Sequence, residues 1–283
     1  MNLTQETKFI MDKYNITANK NYGQNFLIDE FIVNSIIEKA EVCKEDLIIE
    51  IGPGLGTLTS NLIKKAGRVI CIELDSNMIN ILNDRFSLYN NFELIHNDIL
   101  KVNLKSMIEK NLDTFNLKKA KVVANLPYYI TTPIIMKLLE EKLNLYTITV
   151  MVQKEVAIRL TEKPGNKETG AITYSINYYT NPEIILKVPK TSFIPSPKVD
   201  SAVIQLTVLK EPKIKLKNEK LFFKIIKVAF MQKRKTLLNS LSNSNIIEKS
   251  DLEIILQELN IDTKIRAEQL SLEEFAKISD YLS

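Results

Sequence analysis

Histidine is all but missing from this chain: His96 is the only one among 283 residues. A single imidazole leaves no metal cluster and no Ser–His–Asp arrangement to assign, so no metal is expected. Cysteine is nearly as scarce. Cys43 and Cys71 are the only two, too few for a disulfide framework in a chain of this length, and Cys71 sits inside the apolar run Val69-Ile70-Cys71-Ile72. No apolar stretch approaches the roughly 18 residues that a membrane span needs. The N-terminal Met-Asn-Leu-Thr-Gln-Glu-Thr-Lys has no basic segment followed by an apolar one, so nothing reads as an export signal. These absences lead to the expectation of a cytoplasmic protein with no membrane partner.

What is present is an ordinary globular composition, 45% hydrophobic and 25% charged, in a chain long enough for one large or two moderate domains. The net charge of +4 is small, yet residues 210–235 hold ten Lys or Arg against two Glu, including Lys233-Arg234-Lys235. Clustered cations of this kind neutralise phosphates, although a solvated helix face would look the same at any one lysine. Between residues 30 and 150 helical and strand patterns alternate. Strands are expected at 47–51, 68–74, 92–96, 122–124 and 147–153, and helices at 31–40, 57–66, 76–86 and 132–143. Gly67 is placed to cap the second helix. Such alternation argues for a parallel sheet with helices on both faces. Residues 161–170 read as a polar loop rich in breakers, and the β-like runs 184–188 and 201–209 suit antiparallel pairing at the end of the sheet. Helices follow, with capping-box spacing at Ser250-Asp251-Leu252-Glu253 and Ser271-Leu272-Glu273-Glu274. The domain boundary is expected near residue 210, dividing 1–209 from 210–283.

Two motifs carry chemistry. Glu50-Ile51-Gly52-Pro53-Gly54-Leu55-Gly56-Thr57 follows the first strong strand and opens a helix. Glycines at such a turn let the backbone approach a ligand closely. A dinucleotide site has a similar loop, with an acid about 20 residues on for a ribose, and Glu73 stands in that place. The spacing here is Gly-x-Gly-x-Gly, and Glu50 beside the loop would repel a pyrophosphate while attracting an ammonium or a sulfonium. S-adenosylmethionine bears both. Asp98, after the third strand, suits the amino group of that cofactor's adenine. Any one of these acids is compatible with a plain strand-end turn, but three at successive strand ends beside a glycine loop point to a site. The second motif is Asn125-Leu126-Pro127-Tyr128, where an apolar run stops at an amide, a proline and a ring. The Asn125 amide oxygen and the Leu126 carbonyl are acceptors for an amino group. Pro127 stiffens the turn without adding a donor, and Tyr128 offers a flat face to a heterocycle. An ordinary proline turn at a strand end would account for the same four residues.

Together these motifs resemble those of the ribosomal RNA small-subunit adenine dimethyltransferases, which add two methyl groups to N6 of each of two adjacent adenosines near the 3′ end of 16S rRNA. The likeness starts at Asn21-Tyr22-Gly23-Gln24-Asn25-Phe26-Leu27 and runs through the glycine loop, Glu73, Asp98 and the Asn-Leu-Pro-Tyr motif. It continues through Phe193-Ile194-Pro195-Ser196-Pro197-Lys198-Val199-Asp200-Ser201 and Phe230-Met231-Gln232-Lys233-Arg234-Lys235-Thr236-Leu237, covering nearly the whole chain.

The resemblance implies an α/β fold: a seven-stranded Rossmann-like S-adenosylmethionine-dependent methyltransferase domain with a small all-α C-terminal domain for rRNA recognition. Asn25 and Leu27 would hold the cofactor from the N-terminal segment, with Gly52 near its methionine part and Gly54 beside it. Glu73 would take the ribose hydroxyls and Asp98 the adenine, while Asn125, Leu126 and Tyr128 would form the catalytic set, Asn125 also touching the cofactor. Tyr128, with Phe193 as a second platform, would stack a target base taken out of its helix. Lys233, Arg234 and Lys235 would meet rRNA phosphates. The implied partner is 16S rRNA in the 30S subunit, and a monomer is expected. Position 22 is Tyr where Phe is more usual, and a second tyrosine, Tyr129, follows Tyr128.

Other readings share parts of this pattern. A 23S rRNA adenine methyltransferase of the macrolide-resistance type has the N-terminal and glycine-loop motifs, but usually Ile where this chain has Leu126. A catalytically silent RNA-binding or ribosome-assembly factor would keep the fold, yet every polar site residue is present here. A dehydrogenase rests on the glycine loop alone.

Overall fold

A strand covered on both faces reads as an unbroken apolar run, and all six residues of Asp46–Ile51 are buried. In the computed structural model, which describes residues 2–18, 23–232, 234–244 and 246–283, this strand lies in the interior of the sheet. In chain order the strands are β1 (Phe26–Leu27), β2 (Asp46–Ile51), β3 (Arg68–Glu73), β4 (Phe92–His96), β5 (Lys119–Asn125), β6 (Thr147–Gln153), β7 (Thr180–Val188), β8 (Phe193–Ile194) and β9 (Ser201–Val208). Seven form one sheet in the order β4-β3-β2-β5-β6-β9-β7, while β1 and β8 make a two-stranded ribbon. β2 is parallel to both β3 and β5, β3 to β4, and β5 to β6, whereas β9 is antiparallel to β6. From β2 the chain first builds outward through β3 and β4, then crosses back to place β5 on the other side. The β2/β5 boundary is therefore the topological switch point, beyond which open α/β sheets bind ligands.

The chain divides into two compact units, Met1–Ala157 with Glu183–Val208, and Ile158–Pro182 with Leu209–Ser283. The second unit is thus assembled from two segments, where composition suggested one cut near residue 210. Packing explains the recruitment of 158–182. The Tyr174 hydroxyl donates to the Leu270 carbonyl at 2.6 Å, and Tyr179 donates to Glu219 at 2.7 Å. The rings of Tyr178 and Tyr179 pack against Phe223 of the helix Glu219–Met231. Among the described residues, no helix is long and apolar enough to cross a membrane.

Two local expectations need correction. Gly67 does not cap a helix: Thr59–Lys65 ends at Ala66 in extended backbone. Gly67 is required by close approach instead, since an added Cβ would lie 2.3 Å from the Lys44 carbonyl oxygen. Ser271 heads a complete capping box with Glu274. Ser250 does not cap its helix, which already starts at Lys249 with Glu248 as N-cap.

At the first residue of β2 lies a buried ion pair. Lys121 Nζ is 2.9 Å from Asp46 Oδ2, with the two side chains 3% and 0% exposed. The ammonium also donates to the Glu41 and Ala40 carbonyls at 2.7 and 3.2 Å, at the end of the helix Glu30–Lys39. Asp46 Oδ2 accepts from the Cys43 amide at 2.9 Å. Removing the cation would strand a buried carboxylate, so Lys121→Met should lower the unfolding free energy by about 3–5 kcal/mol. Adding Asp46→Asn should recover most of that loss in urea titrations. Equal losses in the single and double variants would contradict the assignment of the cost to an unpaired charge.

Candidate active site

The turns beyond the carboxyl ends of β2, β3, β4 and β5 enclose one cleft. Asn25, Leu27, Gly52, Gly54, Glu73 and Asp98, the residues expected to hold a cofactor, all line it. So do Asn125, Leu126 and Tyr128. The glycine turn comes first in the geometry. Gly52 and Gly54 adopt left-handed φ values of 64° and 57°, which side chains other than glycine rarely accept. A Cβ on Gly52 would lie 3.6 Å from the Pro127 ring, so the turn after β2 packs directly against the turn after β5. From behind, Arg85 donates to the Leu55 carbonyl at 2.5 Å and pairs with Glu6 at 2.6 Å. The helix Leu3–Lys13 thereby braces the glycine turn.

Each acid is oriented by backbone. Glu73 Oε1 accepts from the Leu74 and Asp75 amides at 2.8 and 2.9 Å, and Oε2 accepts from Gly54 at 3.3 Å. Burial holds its pKa above the usual carboxylate value, and these three N–H groups pull it back. Asp98 caps the short helix Ile99–Lys101 by accepting from the Leu100 amide at 2.9 Å. Glu50 faces inward. It is 1% exposed and accepts from Thr59 Oγ1 at 2.6 Å and Cys71 Sγ at 3.4 Å. Burial pushes its pKa up to about 7, opposed by those two bonds. The negative charge that the sequence places beside the loop is therefore only partly developed at neutral pH.

Asn125 closes β5. One N–H of its Nδ2 donates to the Asn25 carbonyl at 3.4 Å, and the amide oxygen remains an acceptor. The Leu126 amide donates to the Met151 carbonyl at 3.2 Å. The Pro127 carbonyl accepts from the Ile130 amide at 3.2 Å and from Thr131 Oγ1 at 3.1 Å. The Tyr128 hydroxyl shares a 2.7 Å hydrogen bond with Ser201 Oγ. Burial raises the Tyr128 pKa and the Ser201 bond lowers it.

Phe193, expected as a second stacking platform, is not among the residues that line the cleft. Its ring is 2% exposed and sits in the core. Phe193 pairs with Leu27 across the β1–β8 ribbon, where its work is to hold the segment that carries Asn25. The exposed ring at the cleft is Tyr129, 57% accessible and packed against Gly23. The doubled tyrosine was visible in the sequence, but the turn decides which ring stays anchored and which faces outward. The contact of Tyr128 with Ser201 joins residues 73 apart, and no local pattern announces it. In the second unit, Arg234 and Lys235 are exposed between the helices Glu219–Met231 and Leu237–Ser242. Lys233 lies outside the described residues.

The Glu50 environment makes a pH prediction. Its folded pKa of about 7 lies above the ordinary 4.5, so the folded state binds the extra proton between these values. The associated stability is complete below the ordinary value and is lost as pH rises through the folded one. Glu50→Gln should remove that fall, worth roughly 3 kcal/mol at about 1.4 kcal/mol per unit. Urea unfolding of both proteins across the window measures it, and parallel pH profiles would contradict it.

A sequence model of the family described as ribosomal RNA adenine dimethylase matches residues 15–283. Ribosomal RNA small subunit methyltransferase A of Clostridium botulinum (strain Okra / Type B1) is 51% identical over 274 residues, 97% of each chain. The protein of the same name from Alkaliphilus oremlandii (strain OhILAs) is 46% identical over 280 residues, 99% of this chain and 96% of its own. Among solved structures, a dimethyladenosine transferase from Plasmodium falciparum is similar with a TM-score of 0.71 and 26% identity, covering 89% of this chain and 95% of that one. The 23S rRNA methyltransferase ErmE shares the fold, with a TM-score of 0.68, 23% identity and coverage of 91% and 99%. A Rossmann-like methyltransferase sheet, a cleft at its switch point and a match over nearly the full length agree: the chain belongs to the ribosomal RNA adenine dimethylase family.

Proposed function

We propose that this protein dimethylates N6 of two adjacent adenosines in a hairpin loop near the 3′ end of 16S rRNA within the 30S subunit, as a cytoplasmic monomer serving small-subunit biogenesis. One observation carries the reading. Asn125, Leu126 and Tyr128 line the same cleft as the acids Glu73 and Asp98.

The residues fit S-adenosylmethionine. Left-handed Gly52 and Gly54 bring backbone to the cleft, and the carboxylates of Glu73 and Asp98 suit hydroxyl and amino donors. Bound there, the cofactor supplies a methyl group made electrophilic by its sulfonium. Everything else falls to the chain. Adenine N6 is a poor nucleophile because its lone pair is delocalised into the ring. Asn125 Oδ1 and the Leu126 carbonyl, accepting its N–H groups, favour a pyramidal nitrogen and stabilise the positive charge that develops there. Because β5 fixes these acceptors in advance, they need no reorganisation during transfer. Tyr128 stacks on the extruded base and offsets part of the cost of unstacking it. Each transfer would break the S–CH3 bond of the sulfonium, form the N6–CH3 bond and release one N6 proton to water; after the first a single N–H remains, so one acceptor then faces a methyl group. Arg234 and Lys235 supply cations for rRNA phosphates.

Incubation with S-adenosylmethionine and either 30S particles or protein-free 23S rRNA, followed by mass spectrometry, should yield N6,N6-dimethyladenosine in 16S rRNA alone. Modification confined to 23S rRNA would replace this reading with the macrolide-resistance type. Asn125→Ala should slow transfer by about a hundredfold or more, the usual scale for removing a preorganised polar group, while RNA binding persists. Full activity in that variant would remove the proposed role of the amide. Neutralising Arg234 and Lys235 together should flatten the dependence of log affinity on log salt by roughly 1.5 to 2. An unchanged slope in filter binding would show that neither contacts phosphate.

A further inference from the structure

β9 reaches the active rim differently from the strands beside it. β5 and β6 are parallel, so both arrive there with their last residues, Asn125 lying opposite Met151. β9 is antiparallel to β6 and arrives with its first residue, Ser201, which lies opposite Gln153. Ser201 is 1% exposed, and its hydroxyl is 2.7 Å from that of Tyr128. A polar side chain so deeply buried must find a hydrogen-bond partner, and here the partner is the tip of the ring in the Asn-Leu-Pro-Tyr turn.

The root of that ring is also held. The Leu126 amide is tied to Met151 of β6, and the Pro127 carbonyl accepts two hydrogen bonds from the helix Thr131–Glu140 and the residue before it. A tyrosine fixed only at its backbone can change rotamer, sweeping the ring through a large arc. Fixing the hydroxyl as well removes that freedom and leaves one orientation of the ring face along the cleft.

We propose that Ser201 is a positioning residue for methyl transfer: by holding the Tyr128 hydroxyl it sets the plane on which the target adenine stacks, and with it the aim of N6 toward Asn125. This rests on the reading of Tyr128 as the stacking platform. The consequence is kinetic. Small errors in the angle of the base lower the fraction of bound complexes in a reactive arrangement, whereas the cofactor residues Glu73 and Asp98 lie on other strand ends and are untouched.

Steady-state methylation of 30S particles by Ser201→Ala, Tyr128→Phe and the double variant tests the proposal. Each single change should lower kcat by about tenfold, and the double should be no worse than either, because both delete one shared bond. KM for S-adenosylmethionine should stay within about twofold of the parent, since no cofactor contact is lost. Tyr128→Phe keeps the ring and its packing, so it reports on the bond even if Ser201→Ala folds poorly. Multiplied losses in the double variant, or a parental kcat in Tyr128→Phe, would overturn the role of Ser201. Tyr128→Ala separates the two levels of the argument. If it is inactive while Tyr128→Phe is unimpaired, the stacking platform survives and only the positioning role falls. If Tyr128→Ala is fully active, the platform itself is wrong.

Discussion

Because β2 and β5 pair in parallel, with Leu47 opposite Ala120 and Ile49 opposite Val122, their carboxyl ends finish together at one rim. Antiparallel pairing would send Asn125 to the far side of the sheet from the glycine turn. The parallel arrangement instead presses Pro127 against the position a Gly52 Cβ would take. Two motifs over 70 residues apart in the chain thus become one cleft. At the opposite end of the same two strands, Lys121 and Asp46 are locked in a buried pair. A slip of one residue would turn Lys121 to the other face of β5, away from its partner and its two carbonyls. The pair is costly to bury, and it sits where register matters most to the site.

The electrostatics of the cleft are unusual in what does the stabilising. Glu50 and Glu73 are buried, and among the described residues neither has a lysine or arginine within ion-pair distance. Neutral donors hold them instead: a threonine hydroxyl and a thiol for Glu50, three backbone amides for Glu73. Such donors orient a carboxyl group without an ion pair, and burial leaves the charge of Glu50 only partly developed at neutral pH. A cationic ligand entering the cleft would therefore meet acids that have no internal cation to displace.

Much of this was legible in the sequence, and the reasons are local. β2 announces itself by the aliphatic run Leu47-Ile48-Ile49, the glycine turn by closely spaced glycines, and the helix Leu272–Tyr281 by a capping box. Most of the residues that line the cleft follow directly, since Gly52, Glu73, Asp98 and Asn125 stand at or just past strand ends. What was not legible depends on distant packing. The helix Ala171–Tyr179 is rich in β-branched and aromatic residues that carry little helical preference, and burial of residues 173–179 decides its form. Phe193 carries the chemical character of a stacking ring, but it is buried in the core. Gly67 looked like a helix cap because glycine's two uses, unusual φ and close approach, are indistinguishable in one letter.

The β1–β8 ribbon has a consequence for how the molecule comes into being. It pairs Phe26 with Ile194, so one wall of the cleft waits for a partner made 168 residues later. On an emerging chain, the central strands and the glycine turn are complete long before that partner exists. The residues that would cradle a cofactor are therefore synthesised early and enclosed late. The parallel strands β2 to β6 are all made before the cleft can be finished, because β8 and then β9, which brings Ser201 to the rim, are the last strands of the chain.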